Sequence, residues 1–404
     1  MRISTGQITS AGVRQMLLRQ ADVQHTQLQL ATQLRVLKPS DDPVAATAIS
    51  ALNVEISQLE QYNRNADAAK TSNELEETVL SSVTDLLFRV RELTVSLGNG
   101  AYDSSALNSI GVELQERLQE AVGLANTQNA NGDYLFSGSQ VKTQAFSRDA
   151  AGNYSYNGDQ SQRLLRVSSG VVEPTSDSGF DVFVKVPTGN GKFSIGSNAA
   201  NTGTATISPG SYQAPPNFLA EAYSITFGTN VAGETTYTVT GDTTAGVIVP
   251  ATVYQSDQEI SFNGVSVTVK GEPATGDVLN VTPSVKQDIF NTLQDGIDAI
   301  NSFADNPAGR ASFQNLLTNL QESLDNGMQN VDLTRGKIGG RLNAIDSEIN
   351  TNLSLIITSK ESLSDVRDLD VVEAATRFSQ QLTVLEAAQA SFVRIQNLNL
   401  FNFL

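Results

Sequence analysis

The chain has no cysteine, no tryptophan and a single histidine among its 404 residues. Without cysteine neither a disulfide scaffold nor a thiolate metal site is possible, and folding is indifferent to the redox compartment. Aromatic residues make up only 6%, which suits long solvated helices, rich here in Gln and Asn, better than the compact core of an enzyme. Positive charge is scarce as well. Lys and Arg number 26 against 43 Asp and Glu, a net charge of −17, which argues against phosphate backbones and anionic membranes, so neither nucleic acid nor membrane is expected as a partner. No apolar run approaches the roughly 18 residues of a membrane span. Met1 to Ser10 hold Arg2 but no apolar h-region, so neither a membrane anchor nor a cleaved signal is expected.

What the chain does have is heptad spacing at both ends. Near the C-terminus Val371, Phe378, Leu385 and Phe392 recur every seventh position, with a second track through Ala374, Ala388 and Ile395 and with Leu382 beside it. Such a repeat turns one stripe of a helix toward a partner helix. Leu398, Leu400, Phe401, Phe403 and Leu404 follow with no charge after Arg394, an apolar end that is not expected to face water in the working state. At the front, Met16, Val23, Leu30 and Leu37 keep the same spacing, and Val13, Leu17, Ala21, Leu28 and Ala31 widen the stripe. The first 42 residues carry a positive excess (Arg2, Arg14, Arg19, Arg35 and Lys38 against Asp22, Asp41 and Asp42). The last forty carry a negative one, which favours the two ends meeting, though exposed pairs are worth only about 0 to 1 kcal/mol each.

Between the ends the pattern changes twice. Pro39, Ser40, Asp41, Asp42 and Pro43 break the first helix and cap a second: proline removes a donor, Ser and Asp supply capping oxygens, and Pro43 suits a first turn. From there a helix of about fifty residues is expected to end near Gly98-Asn99-Gly100, spanning about 75 Å, and a return helix runs from Leu107 to Ala125. From Tyr134 the period becomes two. Strands are expected at 154–156, 164–167, Val182–Val186, 223–227, 237–240 and 265–269, with Asn263-Gly264 as a hairpin turn. Helix resumes near Val285, breaks at Asn306-Pro307, and continues with a weak or kinked point at Gly336, Gly339 and Gly340. The expected fold is mainly α with an all-β insertion: terminal coiled-coil helices (1–42 and 366–404), a long antiparallel helical-bundle rod (43–140 and 286–365) and a projecting β domain (141–285).

Nothing in this pattern points to catalysis. His25 has no metal-ligand or triad-type partner in its neighbourhood and reads as a surface residue. Asp257 and Glu259 are expected on one face of a strand, as a glycosidase pair would be, but a solvated acidic edge explains them. Gly189-Asn190-Gly191-Lys192 is followed by no helix and no Ser or Thr beside the lysine, so it reads as a turn. No nucleophile, base and orienting group come together, and no catalytic residue, metal or cofactor is expected.

Leu34 to Ala46, with its Pro39-Ser40-Asp41-Asp42-Pro43 centre, resembles the loop after the first helix of flagellins and, more closely, of the hook-filament junction proteins of the flagellin superfamily. Asn129 to Gly138 is similar to the segment where that family leaves its helical domain, and Ala390 to Leu404 to its C-terminus. The opening Met1-Arg2-Ile3-Ser4-Thr5 agrees. The resemblance covers about the first 140 and last 120 residues. It implies a secreted structural component of the bacterial flagellum, exported unfolded through a type III channel. It also implies one layer of copies stacked between an adjacent hook-associated protein and flagellin. Self-assembly is then assigned to Met16, Val23, Leu30, Leu37, Val371, Phe378, Leu385, Phe392, Ile395, Phe401 and Phe403. The terminal helices are expected to be poorly ordered alone, and a cytosolic export chaperone is expected to shield the apolar C-terminus. A flagellin filament subunit and, from a different class, a secreted adhesin with a glycan-binding β domain are the competing readings.

Overall fold

The computed structural model describes residues 5–99, 103–213, 219–243 and 246–400. Among the described residues six α-helices order the chain: α1 (Thr5–Thr32), α2 (Pro43–Leu97), α3 (Ser104–Ala125), α4 (Ile289–Asn301), α5 (Pro307–Arg367) and α6 (Val371–Leu400). Most of them start on an Asp or Asn oxygen. Asp42, Asp103, Asp288 and Asn306 accept backbone N–H bonds of 2.7–3.0 Å at the starts of α2, α3, α4 and α5, and Asp370 does the same for α6. Such a cap satisfies donors that the first turn leaves free. Pro43 and Pro307 sit at first helical positions, where a missing N–H costs nothing.

The chain divides into two compact units, one from residues 1–65 with 347–404 and one from 66–346. The second has two apolar cores. In the helical core Leu80, Leu87, Val90, Leu118, Phe136, Phe146 and Leu317 are wholly enclosed, and Phe136, Phe146, Phe183 and Phe290 pack edge to face. In the other core a five-stranded antiparallel sheet faces a smaller one. The order in the large sheet is 246–253, 235–241, 223–229, 278–283 and 193–197. The sandwich is seated on α5 by Asn315, which accepts from Ile207 N–H at 2.8 Å and donates to the Ala205 carbonyl, and by the Ser323 hydroxyl, which accepts from Gly189 N–H. The hairpin Glu259–Phe262 to Val265–Lys270 turns at Asn263 and Gly264, both at positive φ as that two-residue turn requires.

Three expectations fail. Val182–Val186 is not a strand. Phe180–Val184 forms a π-helical turn whose Asp181 and Val182 carbonyls accept both amide hydrogens of Asn330, and only Val186–Pro187 is extended. Alternation there marks burial between helices rather than a pleat. The glycines at 336, 339 and 340 do not break α5, which is continuous. Nothing lies within 4 Å of where their Cβ atoms would stand, so they face solvent and cost about 1 kcal/mol each in propensity. The turns around them are held from the other face by buried Ile338 and by Arg335 on Glu77 at 2.8 Å. Finally, Asp257 is not on the strand with Glu259 but in a turn at φ 68°, ion-paired with Lys270 at 3.0 Å.

One carboxylic acid lies deep in this unit. Glu76 on α2 is fully buried and accepts the Asp177 backbone N–H at 3.0 and 3.2 Å. Asp177 in turn is bound by Arg341, which also donates to Asn73 at 2.6 Å. Burial, reinforced by the Asp177 charge, pushes Glu76 up to about 8 from the usual 4.5. The folded state therefore keeps a proton that the unfolded chain releases, so this contribution is complete below about pH 4.5 and is lost as pH rises toward 8. Glu76→Gln is expected to flatten the fall in melting temperature of the 404-residue chain between pH 5 and 8, and to raise stability at pH 8 by a few kcal/mol. Parallel pH profiles for the two proteins would contradict the assignment.

Candidate assembly site

The terminal helices α1 and α6 run antiparallel, so that Gly12 meets Phe392 at one end and Leu34 bridges Asp368 at the other. Val23 and Ala374 are the most enclosed side chains of the seam. Met16, Leu30, Phe378, Leu385 and Phe392 are half-buried along the same line. A Cβ on Gly12 would stand 3.0 Å from the Phe392 ring, so the absence of a side chain lets the helices close there. Val371, at the first position of α6, is exposed. Leu37 lies in the loop beyond α1, half-buried, because the helix stops at Thr32 and Gln33 turns the chain at φ 56°. Phe401 and Phe403 lie outside the described residues, as does the side chain of Ile395. The residues expected to widen the stripe do not enter it: Val13, Leu17 and Leu28 are 41%, 60% and 56% exposed, and Leu18, Val372 and Val393 are more than half exposed as well.

The joint between these helices and the next pair is a built polar structure. Arg35 N–H donates to the Arg367 carbonyl at 2.8 Å and Leu369 N–H to the Gln33 carbonyl at 3.0 Å, a short antiparallel ladder. The Arg35 guanidinium donates to the Val366 carbonyl at 2.7 Å and to Asp42 at 3.1 Å. The side-chain amide of buried Gln29 donates to the Arg35 carbonyl at 2.6 Å. Asp41 accepts the N–H groups of Leu37 and Lys38, and His25 lies 3.4 Å from it. The histidine is thus a surface residue, as expected, but one with an acidic partner that tertiary structure brings to it. Pro39 and Ser40 are exposed at the tip of the turn, and Pro43 opens α2. Backbone donors, of Lys38 for Asp41 and of Ala45 for Asp42, hold both carboxyls below their usual 3.8. Arg35 adds to the effect on Asp42, and Arg367 followed by Ser364 lowers Asp368. Among the described residues no group of three or more His, Asp or Glu could hold a metal ion, and no helix is long and apolar enough to cross a membrane.

Comparison with known proteins fits this geometry. The N-terminal helical region of bacterial flagellin matches residues 3–141 and its C-terminal helical region residues 322–404. The crystal structure of a flagellar hook-associated protein 3 from Legionella pneumophila superposes with a TM-score of 0.76 at 31% identity, covering 79% of this chain and 98% of that one. The chain belongs to the flagellin family. Within it, flagellar hook-associated protein 3 of Escherichia coli K12 is 24% identical over 403 residues, 99% of each protein. A crystal structure of Xanthomonas campestris FlgL gives a TM-score of 0.72 at 27% identity over 78% of this chain and 99% of that one. The chain is therefore homologous to the hook-associated members of the family along its whole length.

The joint should be acid-sensitive. A carboxyl with a depressed folded-state pKa stabilises above the usual 3.8, and that stabilisation is lost as pH falls through the lower folded value. Asp42→Ala is expected to lower the melting temperature at pH 7, with the gap to the unaltered chain closing below about pH 3.8. A gap that persists unchanged at pH 2.5 would show that the carboxylate is not the source.

Proposed function

We propose that this chain is an exported structural subunit of the bacterial flagellum that joins a hook-associated protein at the hook end to the flagellin filament. The observation that carries the reading is the outer face of the α1–α6 pair, where Leu17, Leu18, Leu28, Val372 and Val393 stand in water. Two helices cover one seam and leave these exposed side chains for neighbouring subunits to bury, which stabilises a polymer over the free chain. The end-to-end similarity to a hook-associated protein 3 supports the position at the hook.

In this reading residues 1–42 and 366–404 form the polymerising part, 43–140 and 286–365 the rod, and 141–285 the outer part. Met16, Val23, Leu30, Phe378, Leu385 and Phe392 hold the pair together, Val371 stands at its margin, and Ile395, Phe401 and Phe403 remain assigned to assembly from the sequence. Pro39 to Pro43 fix the angle of the joint through Asp41 and Asp42. Copies form one layer, with no catalytic role. A cytosolic chaperone covers the C-terminus before export, since that surface would otherwise aggregate.

Phe392→Asp places a charge against the close approach of α1 at Gly12, where burying it is costly. A strain carrying it in place of the original gene is expected to keep its hooks, shed filament protein into the medium and lose swimming. Normal swimming with attached filaments would contradict the seam. Purified subunits are expected not to grow long filaments by themselves; growth would transfer the reading to a filament subunit.

A further inference from the structure

We propose that Pro250, in the middle of the edge strand Gly246–Val253, is a guard residue that keeps the β sandwiches of separate copies from pairing edge to edge. The inference goes beyond the assembly reading and holds for the free chain as well; a layer of copies only raises the local concentration of such edges. Gly246–Val253 closes one side of the five-stranded sheet. It pairs with Thr235–Gly241, and among the described residues no strand pairs with its outer edge. Such an edge offers a row of backbone N–H and C=O groups to any chain that can run beside it.

The side chains make that hazard specific. Val247, Ile248, Val249, Thr252 and Val253 are β-branched and no residue of the strand is charged; apart from its proline, this is the composition of segments that stack strand on strand. Ile248 and Val249 are half-buried and the rest of the strand is exposed. Other edges of the sandwich have protection that this one lacks. Phe193–Ser197, at the far side of the large sheet, has Phe193 and Ile195 buried and its Ser197 hydroxyl 3.2 Å from that of Ser312 on α5. Glu259–Phe262, at the edge of the smaller sheet, carries the exposed carboxylate of Glu259.

What interrupts Gly246–Val253 is its backbone. Pro250 has no N–H to donate, and its carbonyl already accepts from the Thr252 hydroxyl at 2.8 Å. The strand also bulges twice. Thr252 stands opposite Tyr237 and Val249 opposite Val239, so the edge strand spends an extra residue there, and it does so again between Val249 and Val247, which stands opposite Thr240. Each bulge bends and twists the edge away from the line that a straight incoming strand would follow. Pro250 lies inside the first of them, so the missing donor and the bend coincide. The proline divides the strand into 246–249 and 251–253, each shorter than the usual strand of about 5 to 6 residues.

The test follows self-association of the full-length chain by sedimentation velocity over a wide range of concentration. Pro250→Thr restores an N–H and supplies a β-branched side chain, and Pro250→Ala restores the N–H alone. Pro250→Thr is expected to associate about tenfold more tightly than the unaltered chain, and Pro250→Ala to shift the same way by less. Adding Val247→Lys to Pro250→Thr puts a charge on the exposed edge and is expected to cancel the gain. If neither proline variant associates more tightly than the unaltered chain, the proposal is overturned. It is overturned equally if the doubly altered chain associates as strongly as Pro250→Thr, because the gain then comes from a damaged fold and not from the edge.

Discussion

Two helices can hide one apolar stripe between them, and α1 and α6 carry more than one. The heptad track through Met16, Val23 and Leu30 meets the track through Phe378, Leu385 and Phe392, and with that contact the pair has used its only mutual face. Leu17, Leu18, Leu28, Val372 and Val393 remain in solvent on the other sides. The rest of the design follows from that geometric limit. A surface of this kind is a liability in a free subunit, and in the proposed reading it becomes an interface in a stack.

The 66–346 unit obeys different rules. Its helices surround fully enclosed Leu80, Leu87, Leu118 and Phe136, its β sandwich has a second enclosed core, and polar anchors such as Asn315 and Ser323 stitch the sandwich to α5. Ion pairs between α2 and α5, Lys70 with Asp346, Arg335 with Glu77 and Arg91 with Asp325, recur along the helices in one antiparallel register. Most are exposed and add little energy singly, but a one-turn slip would break all of them together. The 66–346 unit thus buries its apolar surface within the chain, whereas the proposed reading leaves that of the termini to be buried between chains.

How legible this was in the sequence depended on which force decided each element. The long helices, their proline breaks and their Asp caps were readable, because Pro43, Asp103, Asp288 and Pro307 act on their own turn. The hairpin at Asn263-Gly264 was readable for the same reason. The π turn at Phe180–Val184 was not, since its carbonyls are satisfied by Asn330, some 150 residues later in the chain. The continuity of α5 through three glycines was hidden as well, because what holds it is contact with α2. Within the candidate site the seam track was visible as periodicity, but its width was not. Val13, Leu17 and Leu28 look inward in a helical projection and face outward because only one partner helix is present. The Arg35 ladder to Arg367 and the His25–Asp41 contact had no local signature at all, as they join segments of the chain that meet only once it is folded.

The central claim is that the outer faces of α1 and α6 are covered only between subunits. Amide hydrogen exchange, read on the purified subunit and again on the same chain within isolated hook-filament joints, measures this directly. The account predicts that amides of residues 5–32 and 371–400 exchange rapidly in the subunit and become strongly protected in the joint, while the enclosed segments of 66–346 are protected in both. Equal and strong protection of both terminal helices in the free subunit would contradict it.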